Sequence, residues 1–145
     1  MRKSLSFVAL TLIAGFFIGS CKDKTDPPKS DEELRIAELD GTWVLDAGSN
    51  VVTVAGGDVS TDWAGFSLNL NEKNYTANGS DDLLVWPASG SWDFGSDVNK
   101  LVRNDGIEMS ISVTETALSI QFDYSAAGGR LNGIEGTWVF KLIKQ

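Results

Sequence analysis

The stretch that decides the fold is residues 107–124, IEMSISVTETALSIQFDY. Apolar and polar side chains alternate from Ile107 to Val113 and again from Leu118 to Tyr124. Successive side chains of a β-strand point to opposite sides, so a period of two residues predicts two strands, each with one apolar and one polar face. That pattern is typical of an antiparallel sheet with one face on a core and the other in water.

Short runs of the same kind lie on both sides of this stretch. Asn104-Asp105-Gly106 predicts a hairpin turn directly before it, because Asn, Asp and Gly tolerate positive φ angles. The other predicted strands are Gly41–Leu45, Val51–Val54, Phe66–Leu70, Lys73–Ala77, Leu83–Trp86, Gly90–Phe94, Lys100–Arg103 and Trp138–Ile143. About ten short strands without a long helical segment predict an all-β antiparallel barrel or, alternatively, a β-sandwich.

The predicted core is rich in aromatic residues. Trp43, Trp92 and Trp138 fall in phase with other apolar residues of their strands and are predicted to be buried. Strands of roughly six residues, tilted by about 40°, give a barrel only ~15 Å tall. We therefore expect a mostly packed interior with at most a small pocket at the open rim. The side chains expected to fill it are Trp43, Phe66, Trp92, Phe94, Phe122, Trp138 and Phe140.

The first 21 residues have the order of a secretion signal. Arg2 and Lys3 precede an apolar run from Leu5 to Ile18, which is too short to cross the ~30 Å of hydrocarbon in a bilayer. Ile18-Gly19-Ser20-Cys21 resembles the lipobox of bacterial lipoproteins. The resemblance implies a diacylglycerol on Cys21, cleavage before it and anchoring in the membrane by acyl chains. Because Lys22 follows the cysteine, it also implies the outer membrane of the cell envelope.

A tether and a short helix are predicted between the anchor and the β-domain. Residues 22–31 are charged and contain two prolines, which is typical of a solvated linker. Ser30-Asp31-Glu32-Glu33 fits a capping box and predicts a helix from Asp31 to Glu38. The helix either ends the tether or covers one end of the domain. The predicted divisions are 1–20 (signal peptide), 21–38 (lipidated cysteine, tether and helix) and 39–145 (β-domain).

Composition argues against several classes of function. Removal of Arg2 and Lys3 with the signal moves the formal charge from −8 to −10, which disfavours nucleic acid as a partner. The chain has no histidine, so a Ser-His-Asp triad and a histidine-based zinc site are excluded. No spacing of carboxylates singles out a catalytic pair. We expect a protein that is not an enzyme and uses neither a cofactor nor a metal.

Three aromatic residues are candidates for ligand binding. Trp63, Tyr75 and Trp86 lie in or beside loop-like stretches and could line a rim, stacking on a glycan or another flat apolar group. The alternative is that they pack beneath a loop. Arg103 and Arg130 lie in turn-like stretches, where we expect a structural salt bridge rather than an anion site.

Several short motifs resemble lipocalins. Gly41-Thr42-Trp43 after a short helix resembles the lipocalin Gly-x-Trp signature, and Ser89-Gly90-Ser91-Trp92 and Gly136-Thr137-Trp138 resemble lipocalin-like bacterial lipoproteins. The resemblance implies an up-and-down barrel of about eight to ten strands, with Trp43 at its closed end and Arg130 as candidate partner. It also implies a non-catalytic binding module for a small apolar or amphipathic ligand or a protein partner. The alternatives are a carbohydrate-binding surface module and a structural envelope lipoprotein.

Overall fold

A computed structural model describes residues 27–125 and 134–145 of the chain. The predicted signal peptide, Cys21, residues 22–26 of the tether and Arg130 lie outside the described residues. One helix, α1 (Asp31–Leu39), precedes the strands. The strands are β1 (Gly41–Leu45), β2 (Val52–Val54), β3 (Gly57–Asp58), β4 (Ser67–Asn71), β5 (Asn74–Asn78), β6 (Ser89–Phe94), β7 (Lys100–Arg103), β8 (Glu108–Val113), β9 (Ala117–Tyr124) and β10 (Gly136–Lys144).

The sheet closes on itself, so the all-β, lipocalin-like up-and-down barrel is confirmed over the sandwich. Neighbouring strands pair antiparallel in the order β1-β4-β5-β6-β7-β8-β9-β10, and β10 pairs back with β1. The long β10 contacts β1 along one half, where Leu142 faces Leu45, and β2 along the other, where Phe140 faces Val52. The short β2–β3 hairpin is thus an addition to the eight strands of the barrel.

Helix α1 covers one end of the barrel, which decides between the two interpretations of this segment. Ser30 and Glu33 form the predicted capping box, each side chain accepting a hydrogen bond from the other's backbone N–H. Leu39 at the helix C-terminus is fully buried, and its carbonyl accepts a 2.7 Å hydrogen bond from Trp43 Nε1. The C-terminal end of the helix therefore holds the Trp43 indole in place.

The interior is packed, as the strand lengths predicted. Of the seven aromatic residues expected there, all but the partly buried Phe94 are buried. The Phe140 ring stacks on those of Phe122 and Trp138, and Trp92 meets Phe94 edge to face. Buried rings contribute about 150–250 Å² each and dominate the free energy of folding of such a small core. The Gly-Thr-Trp triplets of β1 and β10 have the same local geometry, because each tryptophan Nε1 donates to the carbonyl four residues earlier.

Two local predictions were wrong. Residues 83–86 form a turn instead of a strand, with Trp86 N donating to the Asp82 carbonyl at 2.9 Å and Leu84 N donating to the Asp82 carboxylate at 2.8 Å. A continuous apolar run has no periodicity, and here two of its residues point inward while Leu83 and Leu84 are exposed. The second error is the omission of strand β3, whose two residues are too few to show an alternating pattern.

Among residues 27–125 and 134–145, no helix is both long and apolar enough to span a bilayer.

Candidate ligand-binding site

The three aromatic residues predicted to bind a ligand lie in the barrel interior, near the end opposite α1. Trp63, Tyr75 and Trp86 are 1%, 4% and 1% exposed. The expectation that they line a rim and stack on a glycan is therefore wrong, and the alternative of packing beneath loops is correct. Trp63 lies in the turn after β3 and Trp86 in the turn before β6, so both enter the barrel from loops.

The two loop tryptophans fill this end from opposite sides. Both contact Phe66, at ring-centroid distances of 5.4 Å for Trp63 and 5.6 Å for Trp86. Both also contact Phe140, at 4.9 and 5.2 Å. Tyr75 joins from β5, 6.2 Å from the Trp86 ring. In an open barrel, a ligand would occupy this volume. Here the aromatic side chains of the protein fill it.

Residues 80–86, which we call the lid segment, make few hydrogen bonds to the barrel. Its backbone hydrogen bonds run within the segment, around Asp82. Among the described residues, a single hydrogen bond joins it to the rest of the fold, from Arg103 Nη1 to the Val85 carbonyl at 2.9 Å. The segment is otherwise held by burial of Val85 and Trp86, while Leu83 and Leu84 remain 61% and 56% exposed. The burial of these two side chains, rather than hydrogen bonding, therefore keeps the segment closed.

Arg103 is the buried cation beneath the lid segment. Its side chain is fully buried and forms an ion pair with Asp105, through Nε at 3.1 Å and through Nη2. Its guanidinium carbon lies 5.4 Å from the Trp86 ring and 5.5 Å from the Phe122 ring, within cation–π range. The predicted structural salt bridge is confirmed for this arginine. Because a guanidinium has five N–H donors, the three bonds to Asp105 and Val85 leave two of them without an acceptor among residues 27–125 and 134–145.

Further donors around Arg103 lack partners. Tyr75 Oη, Trp86 Nε1 and Ser80 Oγ of the lid segment are buried and make no hydrogen bond to any residue that the structure describes. Each unpaired buried polar group costs about 1–3 kcal/mol. Gly90, opposite Tyr75 on β6, leaves room for the hydroxyl, since a Cβ there would lie 2.7 Å from Tyr75 Oη and 2.5 Å from Asn104 Oδ1. The absence of a side chain at Gly90 thus lets the Tyr75 hydroxyl pack directly against β6.

Burial and charge set the protonation of the two titratable groups at this corner. Burial raises the pKa of the Tyr75 hydroxyl, so it remains a donor at neutral pH. Burial alone would raise the pKa of the Asp105 carboxyl, but hydrogen bonds from Arg103 and from the Ile107 amide outweigh it and lower that pKa. Asp105 is therefore an anion and Arg103 a paired cation at neutral pH.

The tryptophan of the lipocalin-like motif has a partner that the sequence did not indicate. Lys144 Nζ lies over the Trp43 ring, 5.1 Å from its centroid, while the candidate Arg130 is outside the described residues. Gly41 makes this possible: its φ is +134°, and a Cβ there would lie 2.9 Å from Lys144 Cε. The register that aligns β10 with β1 places the lysine there, and register between distant strands leaves no local sequence signal.

The depressions on the described surface lie outside the barrel. One, of about 400 Å³, lies beside α1 and is lined by Leu34, Ala37, Glu38, Glu115 and Lys144. Another, of about 290 Å³, lies over the outer faces of β7 to β9. Within residues 27–125 and 134–145, no group of three or more acidic, cysteine or histidine residues is placed to hold a metal ion.

Comparison with known proteins adds no assignment: no protein-family pattern, curated protein or solved structure matches the chain.

Proposed function

We propose that this chain is a bacterial lipoprotein of the outer membrane whose barrel is a non-catalytic binding module for a small apolar or amphipathic molecule. The lipobox-like Ile18-Gly19-Ser20-Cys21 and the charged tether support the anchor. Attachment through two or three acyl chains is firm, since each buried methylene contributes about 0.8 kcal/mol. The tether enters at α1, so the lid segment lies at the barrel end away from the point of attachment.

One observation carries the binding proposal: the aromatic interior is covered by a segment that one hydrogen bond fastens to the barrel. The closed arrangement leaves Trp86 Nε1 buried and unpaired, and it leaves Leu83 and Leu84 in water. Outward movement would solvate the indole N–H and uncover a wall formed by Phe66, Tyr75, Phe122 and Phe140. Such a pocket would be mostly apolar with a few polar groups on one side, as small-molecule binding sites generally are.

A protein partner at the same end is the second candidate. Leu83 and Leu84 are adjacent, apolar and more than half exposed. Paired exposed leucines on a loop tip would form the centre of a small docking surface. This candidate predicts that Leu83→Ser/Leu84→Ser abolishes partner capture and leaves small-molecule binding intact.

Two measurements test the proposal. Cells fed an alkyne analogue of palmitate should label the full chain, and Cys21→Ala should abolish the label. For binding, 1-octanol is titrated calorimetrically into the lipidated full chain in nanodiscs, with empty nanodiscs as the control. Saturable heat in excess of that from empty nanodiscs supports a small-molecule module. Heat identical to that from empty nanodiscs contradicts it.

A further inference from the structure

We infer that the outer face of β4 and β5 binds a neutral polysaccharide, through hydrogen bonds between side-chain amides and sugar hydroxyl groups. This surface lies outside the barrel and shares no residue with the lid segment, so it is independent of the proposed small-molecule module. The inward side chains of the two strands are buried, and the alternate side chains therefore face water. We call these exposed residues the amide face: Asn69, Asn71, Asn74, Thr76 and Asn78.

Asparagine is the unexpected residue on these strands. It is depleted in β-strands, yet it holds two of the five positions in β4 and two of the five in β5. Departures from local propensity concentrate at functional sites. Asn69 lies in the middle of β4, so turn geometry does not explain it, and its Nδ2 donates a 3.0 Å hydrogen bond to Thr42 Oγ1 on β1. The neighbouring strand thus fixes the orientation of this amide on the surface.

The amide face carries no formal charge. Residues 67–71 and 74–78 contain no acidic or basic side chain, although 22% of the residues in the chain are charged and its net charge is −8. Strand β6 continues the surface with Ser89 and Ser91, which pair with residues of β5. Lys73, in the turn between the two strands, is paired with a carboxylate of β6 at 2.6 Å. A partner selected by its charge has no contact to make on this face, so the matching partner is neutral.

Amide and hydroxyl groups suit a partner that is rich in hydroxyl groups. An asparagine side chain offers two N–H donors and a carbonyl acceptor, and a sugar hydroxyl both donates and accepts. The bond to Thr42 uses one N–H of Asn69 and, within the described part of the chain, leaves its second N–H and its carbonyl oxygen for a partner. The face lacks the apolar centre that stabilises an interface with a second copy or another protein. A polymer of uncharged sugars therefore fits this surface better than a protein does.

The strand register arranges these groups in rows that a sugar polymer can follow. Asn69 faces Thr76 and Asn71 faces Asn74, and the first row continues onto β1 and β6. Neighbouring strands lie about 4.8 Å apart, which is close to the width of one sugar ring. A depression of about 200 Å³ lies on the face, lined by these four residues and Tyr75. Because a drug-sized site has roughly 300–1,000 Å³, this one accepts a single ring while the rest of each row contacts the neighbouring rings.

The test measures co-sedimentation of the full chain with insoluble neutral polysaccharides. Cellulose, starch and chitin are the probes, and the chain is reconstituted in nanodiscs, with empty nanodiscs as the control. We expect saturable binding to at least one of the three. Because no charged group takes part, binding should be unchanged in about 1 M NaCl, where charges more than ~3 Å apart are screened.

Variants locate the binding. Asn69→Ala/Thr76→Val removes an amide and a hydroxyl from the first row and should weaken binding about twentyfold, roughly fivefold for each lost hydrogen bond. Asn74→Ala leaves the bond from Asn69 intact and should weaken binding about fivefold. Ser112→Ala/Gln121→Ala is the matched control, because both residues are exposed polar residues on the outer face of β8 and β9. Urea midpoints check that each variant is folded, and Asn74→Ala serves alone if the double variant is not.

Binding to a neutral polysaccharide that the amide-face variants weaken and the control does not supports the inference. Binding to none of the three probes overturns it, as does binding that salt abolishes or that the variants leave unchanged. Self-association of the wild-type chain that Asn69→Ala/Thr76→Val abolishes in sedimentation velocity would make the face an interface between copies, and also overturns it. Each of these results leaves the small-molecule module to its own test with octanol.

Discussion

Lys144 and Trp43 face each other across the seam where β10 meets β1, and the lysine ammonium lies over the indole ring. The same ammonium donates a 3.2 Å hydrogen bond to the Glu38 carbonyl near the end of α1. One side chain thus links the first strand, the last strand and the helix. The lipocalin resemblance implied Arg130 as the candidate partner of Trp43; that residue lies outside the described residues, and Lys144 is a cation that the structure places over the ring.

Replacement of Lys144 should loosen this end of the barrel. Lys144→Met keeps the apolar stem but removes the cation–π contact and the hydrogen bond to Glu38. We expect a loss of about 1 kcal/mol in the free energy of unfolding, or roughly 4–8 °C in Tm. Lys141→Met is the matched control, because Lys141 is exposed on the same strand. Equal effects of the two substitutions in urea melts would show that the contact over Trp43 contributes nothing.

Alanine at Gly41 should destabilise the barrel by two routes. The φ of +134° is unfavourable for any residue with a side chain, and the new Cβ would meet Lys144 Cε at 2.9 Å. The expected loss is about 1–3 kcal/mol. Gly136→Ala has the same backbone strain, at φ +132°, with a milder contact at 3.2 Å to Ala55, so its loss should be smaller. Gly57→Ala, with ordinary contacts, should change the urea midpoint least.

Removal of the charge on Asp105 should be costly because Arg103 cannot reach water. Asp105→Asn keeps the shape but leaves a buried guanidinium without its counter-ion. Because the carboxylate is 37% exposed, we discount the value for a fully buried pair and expect a loss of about 1–2 kcal/mol. Asp81→Asn, at an exposed position in the lid segment, should leave the unfolding free energy within about 0.5 kcal/mol of wild type.

The same carboxylate predicts a pH dependence. Its pKa is lower in the folded than in the unfolded state, so the unfolded chain binds more protons at acid pH. The stabilisation is fully present above the unfolded pKa of about 4 and is lost as the pH falls through the lower folded value. Urea midpoints measured at pH 6 and pH 3 should therefore differ less in Asp105→Asn than in wild type. An identical acid-induced drop in both proteins would contradict the ion pair.

Tyr75→Phe should not destabilise the protein. The hydroxyl is buried without a partner, so its removal relieves a desolvation cost while the ring packing is kept. We expect a free energy of unfolding equal to wild type or higher by up to about 1 kcal/mol. A loss of more than about 1 kcal/mol in thermal or urea unfolding would show that the hydroxyl has a structural partner.

Much of this architecture follows from local sequence. Alternation in residues 107–124 predicts β8 and β9, and Asn104-Asp105-Gly106 predicts the turn before them, because both signals depend only on neighbouring residues. The capping box likewise gave α1 to within one residue at its end. The burial of Trp43, Trp92 and Trp138 follows from their phase within the strands.

What the sequence did not yield depends on contacts between distant residues. Leu83–Trp86 is apolar throughout, so its pattern does not distinguish a buried strand from a turn that sends a tryptophan inward. Whether Trp63 and Trp86 are exposed depends on the space left above the shallow barrel. The placements of Lys144 over Trp43 and of Arg103 beneath Val85 depend on register and on the path of a loop.

The seam along β10 constrains when the chain can fold. The strand that completes the barrel, β10, is the last of the described strands in sequence, and it pairs with β1, β2 and β9. A chain that lacks residues up to Lys144 cannot form the pairing between β1 and β10 that closes the sheet. Contacts of such long sequence separation form slowly. Closure of the barrel is therefore among the latest steps of folding, because it joins β1 to β10 across the largest sequence separation among the described strands.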